Sequence, residues 1–206
     1  MISAKPYAYY SRFLSFYIRF ILKRNFREIK IIGKAEPTDK AILLIGNHSS
    51  WWDGFFAYHL NRKVFRKRPF VMMLEEQLKK NPFLRGLGAF SVKKGSKSMV
   101  QSLKYASDIL MNPRNLLLLF PQGKIISTFL YPQSFEKGWF RIIQNANTEV
   151  SVIFMVNLVE YLSEKRPTVF MYYKVYPGNE ILTPENIELE FNLFLKSCID
   201  NQNRQI

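Results

Sequence analysis

Short, mainly apolar runs alternate along the chain with segments whose apolar residues recur at three- and four-residue spacing. The runs at 29–33, 41–45, 70–74, 87–92, 116–120, 150–159 and 168–176 have strand length and sit between turn signals. Several are apolar at every position, the mark of strands covered on both faces. Helical spacing is expected over 6–24, from about residue 50 to Leu60, over 75–80, over 97–111 and over 134–145. In the fourth of these Met99, Leu103, Ala106 and Leu110 share one face, and Ser96 and Ser134 stand where N-caps belong. A last helix should begin at Thr183-Pro184, with proline in the first helical position. Turns are expected at 36–40, Asn81-Pro82, Asn112-Pro113, 121–124 and 164–167. Strands alternating with helices predict an α/β sandwich with a mixed, largely parallel sheet. No repeat or internal boundary breaks it, so the expected organisation is a helix over 1–30 followed by one domain over 31–206.

The first helical segment differs from the others. Arg12, Ser15, Arg19 and Lys23 share one helical face, while Phe13, Leu14, Tyr17, Ile18, Ile21 and Leu22 fill much of the rest. An aromatic arc beside a cationic stripe suits a membrane interface. The alternative is a helix packed on the core with a wet basic edge, but the wide, aromatic apolar arc favours a membrane-interface helix over 1–30.

The run 41–45 ends at Gly46 and leads into Asn47-His48-Ser49-Ser50-Trp51-Trp52-Asp53. A strand thus delivers a histidine, with a carboxylate five residues on. His48 is a candidate general base and Asp53 its orienting acid, a triad lacking the enzyme's own nucleophile. The attacking hydroxyl would then come from the substrate. Five residues are about 500° of helical rotation, so His48 is expected in the turn before the helix and Asp53 one turn inside it. His59 has no expected catalytic part.

Composition narrows the setting. With 48% hydrophobic residues the chain is not disordered, and 206 residues suffice for one cored domain. The single cysteine and two histidines leave no disulfide framework and fall short of the usual ligand set of a structural zinc centre. No uncharged apolar run nears the ~18 residues of a membrane span, and Lys5, Arg12 and Arg19 interrupt any signal-like segment. Lys plus Arg number 30 against 16 acidic residues, a net charge of +14. That favours anionic partners: lipid head groups, nucleic acid, phosphorylated substrates or acidic carrier proteins, and by itself would also fit a non-catalytic basic protein that binds membrane or nucleic acid. The basic run Arg62, Lys63, Arg66, Lys67 and Arg68 is either a solvated loop or a contact for phosphate or lipid. No recognition-helix or stacking-sheet signature points to nucleic acid.

The ordered spacing of four stretches carries a resemblance. Asn47-His48 with Asp53, Gly88 through Lys94, Phe120-Pro121-Gln122-Gly123 and Phe135 through Gly138 resemble, in order, the conserved blocks of PlsC-type glycerolipid acyltransferases. The likeness runs from about residue 40 to 160. It implies the PlsC-like sandwich, a His48–Asp53 catalytic pair, and O-acyl transfer to a lysophospholipid-like hydroxyl from acyl-CoA or acyl carrier protein as co-substrate, without a further cofactor. It also implies acceptor or anion binding by Lys93, Lys94, Gln122, Gly123 and Lys124, and a cytoplasmic, peripheral place on the inner face of the membrane. Gly123 could present backbone N–H groups to an oxyanion. This chain departs from the pattern at its third block, with Gln122 for the usual glutamate and Lys124-Ile125-Ile126 for Thr-Arg-Ser. It also lacks both prolines of the fourth block at 150–154. Another lipid alcohol (an aminolipid, a glycolipid or a carotenoid glycoside) therefore remains a possible acceptor.

Overall fold

The computed structural model describes residues 1–6, 8–34, 38–177 and 182–204. Part of the turn expected at 36–40 and the side chain of Arg12 lie outside what is described. Seven strands form one sheet: β1 (Glu28–Lys34), β2 (Ala41–Gly46), β3 (Arg68–Leu74), β4 (Ala89–Val92), β5 (Asn115–Leu119), β6 (Val150–Glu160) and β7 (Thr168–Val175). Their spatial order is β1-β7-β6-β2-β5-β3-β4, parallel throughout except for the β6–β7 pair. This is the largely parallel sheet that the alternation predicts.

Helices cover both faces. The central β2 shows why its sequence is apolar at every position: Ala41, Leu43 and Ile45 enter one core, while Ile42 and Leu44 enter the other. The first core lies under α4 (Ser98–Leu110) and α6 (Pro184–Asn203), through Leu103, Ala106, Ile187, Phe191 and Leu195. The second lies under α1 (Ala8–Asn25) and α2 (Asp53–Leu60), through Ile18, Leu22, Phe56 and Leu60. The short α3 (Glu75–Lys80) and a 3₁₀ turn (Pro82–Leu87) join β3 to β4. Thr183 caps α6 by accepting from the Asn186 N–H at 3.2 Å, with Pro184 in the first turn.

Three expectations need correction. The helix expected over 134–145 is only the single turn α5 (Arg141–Gln144). The chain before it is tied elsewhere: Gln133 is buried and bonded to Asn192, the Glu136 N–H donates to Pro121 O, and Gly138 takes φ +92°. α2 does not stop cleanly at Leu60 but runs into a π-helical turn (Asn61–Phe65) ending at Arg66 with φ 55°. Asp53 is the first residue of α2 rather than one turn inside it, because its carboxylate gathers the chain that precedes the helix.

The first helix does not choose between its two readings. Ile18 and Leu22 are in the core, and Ser15 shares a 2.6 Å hydrogen bond with the Tyr58 hydroxyl. On the opposite face Phe13, Phe16, Tyr17 and Phe20 are exposed, Phe16 at 71%. These four positions follow the i, i+3, i+4, i+7 rule and form one aromatic stripe. The exposed Arg19 and Lys23 lie along one side of it and Arg24 along the other. No described helix is long and apolar enough to cross a membrane.

Candidate active site

The site is built where parallel strands end, at the crevice used by open α/β sheets. β2 delivers Asn47 and His48, β5 delivers Phe120 through Gly123, and β4 delivers Lys93 and Lys94. Asn47 fixes the exit of β2. Its side chain donates to Asn157 O at 3.0 Å and accepts from the Asn157 N–H at 2.8 Å, while its own N–H reaches Met155 O at 3.2 Å. The residue before His48 is thereby stapled to β6, so the imidazole starts from a rigid anchor.

His48 Nδ1 lies 3.1 Å from Asp53 Oδ2. The same oxygen accepts the backbone N–H groups of Ser49 and Ser50, both at 2.7 Å, and Oδ1 accepts the Ser50 hydroxyl at 3.2 Å. Four donors converge on a carboxylate whose side chain is 1% exposed, which is how a buried negative charge is made tolerable. An ionised carboxylate only accepts, so the proton between the pair sits on Nδ1. Nε2 is then the unprotonated nitrogen. The ring stacks on Phe120 at 4.3 Å between centroids and 14° between planes, and the Ile126 N–H holds the His48 carbonyl at 2.8 Å. The imidazole is thus gripped along its face, at one nitrogen and at its backbone. Its side chain keeps 23% exposure.

Beside it, Lys94 Nζ and Glu136 Oε1 form a 2.8 Å ion pair. The pair closes over Gly123, which has φ +65°; a Cβ there would stand 2.5 Å from Lys94 Nζ and 2.9 Å from Glu136 Cγ. The left-handed backbone favours glycine, and a Cβ there would make the flexible Lys94 and Glu136 side chains shift. Its N–H donates to Phe120 O at 3.1 Å, closing the turn, so it is not offered to an oxyanion as the sequence reading expected. Gln122 also departs from expectation. It is 3% exposed and turned inward, with Nε2 donating to Gly46 O at 3.2 Å and to Gln133 Oε1 at 3.0 Å. It braces the loop against the end of β2 rather than facing an anion. Lys93 and Lys124 are exposed at the rim, without a described ion pair.

Sequence reasoning missed Glu136, Phe120 as the stacking partner, and the two serines on Asp53. Only Glu136 left a signal: an acid beside Lys137 in an otherwise basic region. The other basic residue near α2, His59, has its pKa lowered by burial and then by Lys63, Arg19 and Arg62, which keeps it neutral near pH 7. Among the described residues no group of three or more His, Cys, Asp or Glu side chains could hold a metal ion.

These features have relatives. A model of the acyltransferase family matches residues 18–171, which includes the whole His48–Asp53, Lys94, Gly123 and Glu136 assembly. The crystal structure of PlsC from Thermotoga maritima, a 1-acyl-sn-glycerophosphate acyltransferase, superposes with a TM-score of 0.62. It is 16% identical, and the match covers 92% of this chain and 78% of that one. No curated protein sequence matches. The fold is therefore the PlsC fold, and the chain belongs to the acyltransferase family.

Proposed function

We propose that this protein moves a fatty acyl group from a thioester, acyl-CoA or acylated carrier protein, to a hydroxyl of a lipid acceptor at the cytoplasmic membrane surface. The observation that carries the reading is the His48 Nδ1–Asp53 contact at 3.1 Å, which leaves Nε2 as the base of a ring whose side chain keeps 23% exposure. Nε2 takes the proton as the acceptor oxygen attacks the thioester carbon. The imidazolium is stabilised by Asp53 and returns the proton to the departing thiolate as the C–S bond breaks. General-base catalysis of this kind supplies roughly 10²–10⁴-fold. The exposed aromatic stripe of α1, with basic residues on both flanks, supports a peripheral seat on an anionic membrane. The net charge of +14 suits an acidic carrier or the phosphates of CoA.

One observation favours an acceptor other than lysophosphatidate. At the position where the resemblance implies phosphate binding, Lys94 is already paired with Glu136, and Gln122 is occupied within the protein. A phosphate monoester would have to displace a carboxylate, whereas a hydroxyl- or amine-bearing head group can bond to the pair as it stands. The test is a panel of lysophospholipid, aminolipid and glycolipid acceptors with both donors. His48→Ala should lower turnover at least about a hundredfold; unchanged turnover would remove His48 from the chemistry. Glu136→Gln should free Lys94 and lower the KM for lysophosphatidate, and an unaltered preference would put acceptor choice elsewhere.

A further inference from the structure

A second basic centre lies at the other end of the sheet from His48. β3 begins at Arg68 and β5 at Asn115, paired in register, and the Arg68 N–H donates to Arg114 O at 2.7 Å. Ile42 of β2 pairs with Leu116, next along β5. The six residues from Ile42 to His48 span about 20 Å at ~3.3 Å per residue. A head group bound there would sit about that far from the catalytic pair.

The local fold forces cations together. The π-helical turn ends in left-handed Arg66, whose N–H donates to Asn61 O at 2.6 Å. Buried Asn61 clamps the next residue from both sides, accepting the Lys67 N–H at 3.1 Å and donating to Lys67 O at 2.8 Å. A left-handed arginine costs roughly 1–2 kcal/mol that a glycine would not. Lys67 is a structural post, its Nζ donating to Thr38 O and Pro113 O at 2.7 and 2.8 Å. Arg66, Arg68 and Arg114 remain exposed around two cavities of about 760 and 480 Å³ that share Arg66, Lys67 and Arg68. Arg68 stands over the Phe70 ring at 5.6 Å, and among the described residues none of the three guanidinium groups meets a carboxylate; their planar forks match phosphate oxygens.

The larger cavity also runs to the side of α1. It is lined by Tyr58 and Arg62, and both contact Ser15 of that helix, Arg62 at 3.1 Å. Arg19, Arg62 and Lys63 all lie close enough to His59 to act on its charge. A continuous belt of positive charge thus joins the flank of the aromatic stripe to the cleft. We propose that the cleft formed by Arg66, Arg68 and Arg114 binds the phosphate of an anionic phospholipid head group, as a seat distinct from the catalytic acceptor site. The proposal rests on the reading of α1 as the membrane-facing element. The continuity of the cleft with the side of α1, through Tyr58 and Arg62 on Ser15, favours a membrane head group over an acidic carrier protein.

The test uses the full chain and sedimentation with vesicles of phosphatidylcholine alone or with 20 mol% phosphatidylglycerol. The cleft variant is Arg66→Asn, Arg68→Gln and Arg114→Gln together; asparagine tolerates the left-handed backbone. The control removes equal charge elsewhere: Lys34→Gln, Lys165→Gln and Lys196→Gln. Both variants are first checked for an unchanged unfolding midpoint; if the triple cleft variant misfolds, Arg68→Gln with Arg114→Gln replaces it. The expected result is at least about tenfold weaker binding of the cleft variant to the anionic vesicles. Its binding to neutral vesicles and its turnover on detergent-dispersed substrate should be unchanged, and the control should stay within about twofold of the native protein. Equal losses in the two variants would mean diffuse attraction and overturn the site. Inorganic phosphate or a purified acidic carrier protein bound by the native cleft, with vesicle binding untouched by the cleft variant, would overturn the lipid assignment. Failure of α1 as the membrane element shows differently: Phe16→Ser with Phe20→Ser would then leave both vesicle types bound as before.

Discussion

Gln122 donates from Nε2 to the carbonyl of Gly46, 3.2 Å away and two residues before His48. The amide therefore braces the loop after β5 against the exit of β2, and its second donor contact goes to Gln133 Oε1. The Gly46 carbonyl can only accept. A carboxylate at this position would aim an oxygen at that oxygen.

The change Gln122→Glu should therefore destabilise rather than restore a binding group. Losing the buried donor contact to Gly46 O and burying a charge costs about 3 kcal/mol at pH 8. The buried acid has its folded pKa raised above the unfolded value near 4.3. The folded state then holds the proton longer, so the penalty is small at pH 4 and grows as pH rises. Thermal unfolding from pH 4 to 8 checks this, and a pH-independent loss would show that the glutamate turns outward to solvent.

Gly123→Ala tests the ion pair. A left-handed alanine costs about 1 kcal/mol, and the half-exposed Lys94–Glu136 pair adds no more than about 1 kcal/mol. Stability should fall only modestly. The added Cβ would collide with Lys94 Nζ and Glu136 Cγ and separate them. The expected outcome is a change in acceptor KM of about tenfold with kcat little altered, measured on the best acceptor of the panel; a pure kcat loss would assign the turn to the chemistry instead.

What the sequence made legible was whatever depends on near neighbours. The all-apolar runs of β2 and β5, the Thr183-Pro184 start and the His48 turn are local patterns, and each has a local cause. The pieces that escaped are joined across the chain. Glu136 meets Lys94 over a separation of 42 residues, and Gln122 meets Gly46 over 76. Nothing near Gln122 says that its amide faces inward, because Gly46 and Gln133 decide that. The missing helix over 134–145 has the same origin: Gln133 and Glu136 bond to Asn192 and Pro121 instead of to their own turn. Asp53 opens α2 rather than lying one turn inside it for a subtler reason: residues 49–52 do not follow helical rotation, because the Asp53 carboxylate holds Ser49 and Ser50 in a tight loop.

Burial pushes the Cys198 thiol up to about 12 from an ordinary 9.0. The unfolded thiol ionises first, so the folded state binds the extra proton between about pH 9 and 12, and stability falls as pH rises through that window. Comparing native protein with Cys198→Ala, the native advantage at pH 7 should shrink by pH 10 in denaturant titrations. The native thiol should also resist disulfide reagents at pH 8 until the chain unfolds. Rapid labelling of the folded protein would contradict the burial.

The aromatic stripe makes the last prediction. Phe16 and Phe20 are 71% and 53% exposed, opposite the face through which Ile18 and Leu22 anchor α1. In water these rings contribute little packing, so Phe16→Ser with Phe20→Ser should leave the unfolding midpoint within about 2 °C, as for other surface changes. Burying a phenylalanine side chain is worth about 1.5–3 kcal/mol. Partial insertion of two rings into the head-group region should therefore weaken vesicle binding at least about tenfold when they are removed. The loss should be similar on neutral and anionic vesicles, because apolar transfer does not depend on lipid charge. Replacing Arg19 and Lys23 with glutamine should instead spare neutral vesicles and weaken anionic ones. If both pairs of changes act only on anionic vesicles, the rings do not enter the bilayer and α1 is held there by charge alone.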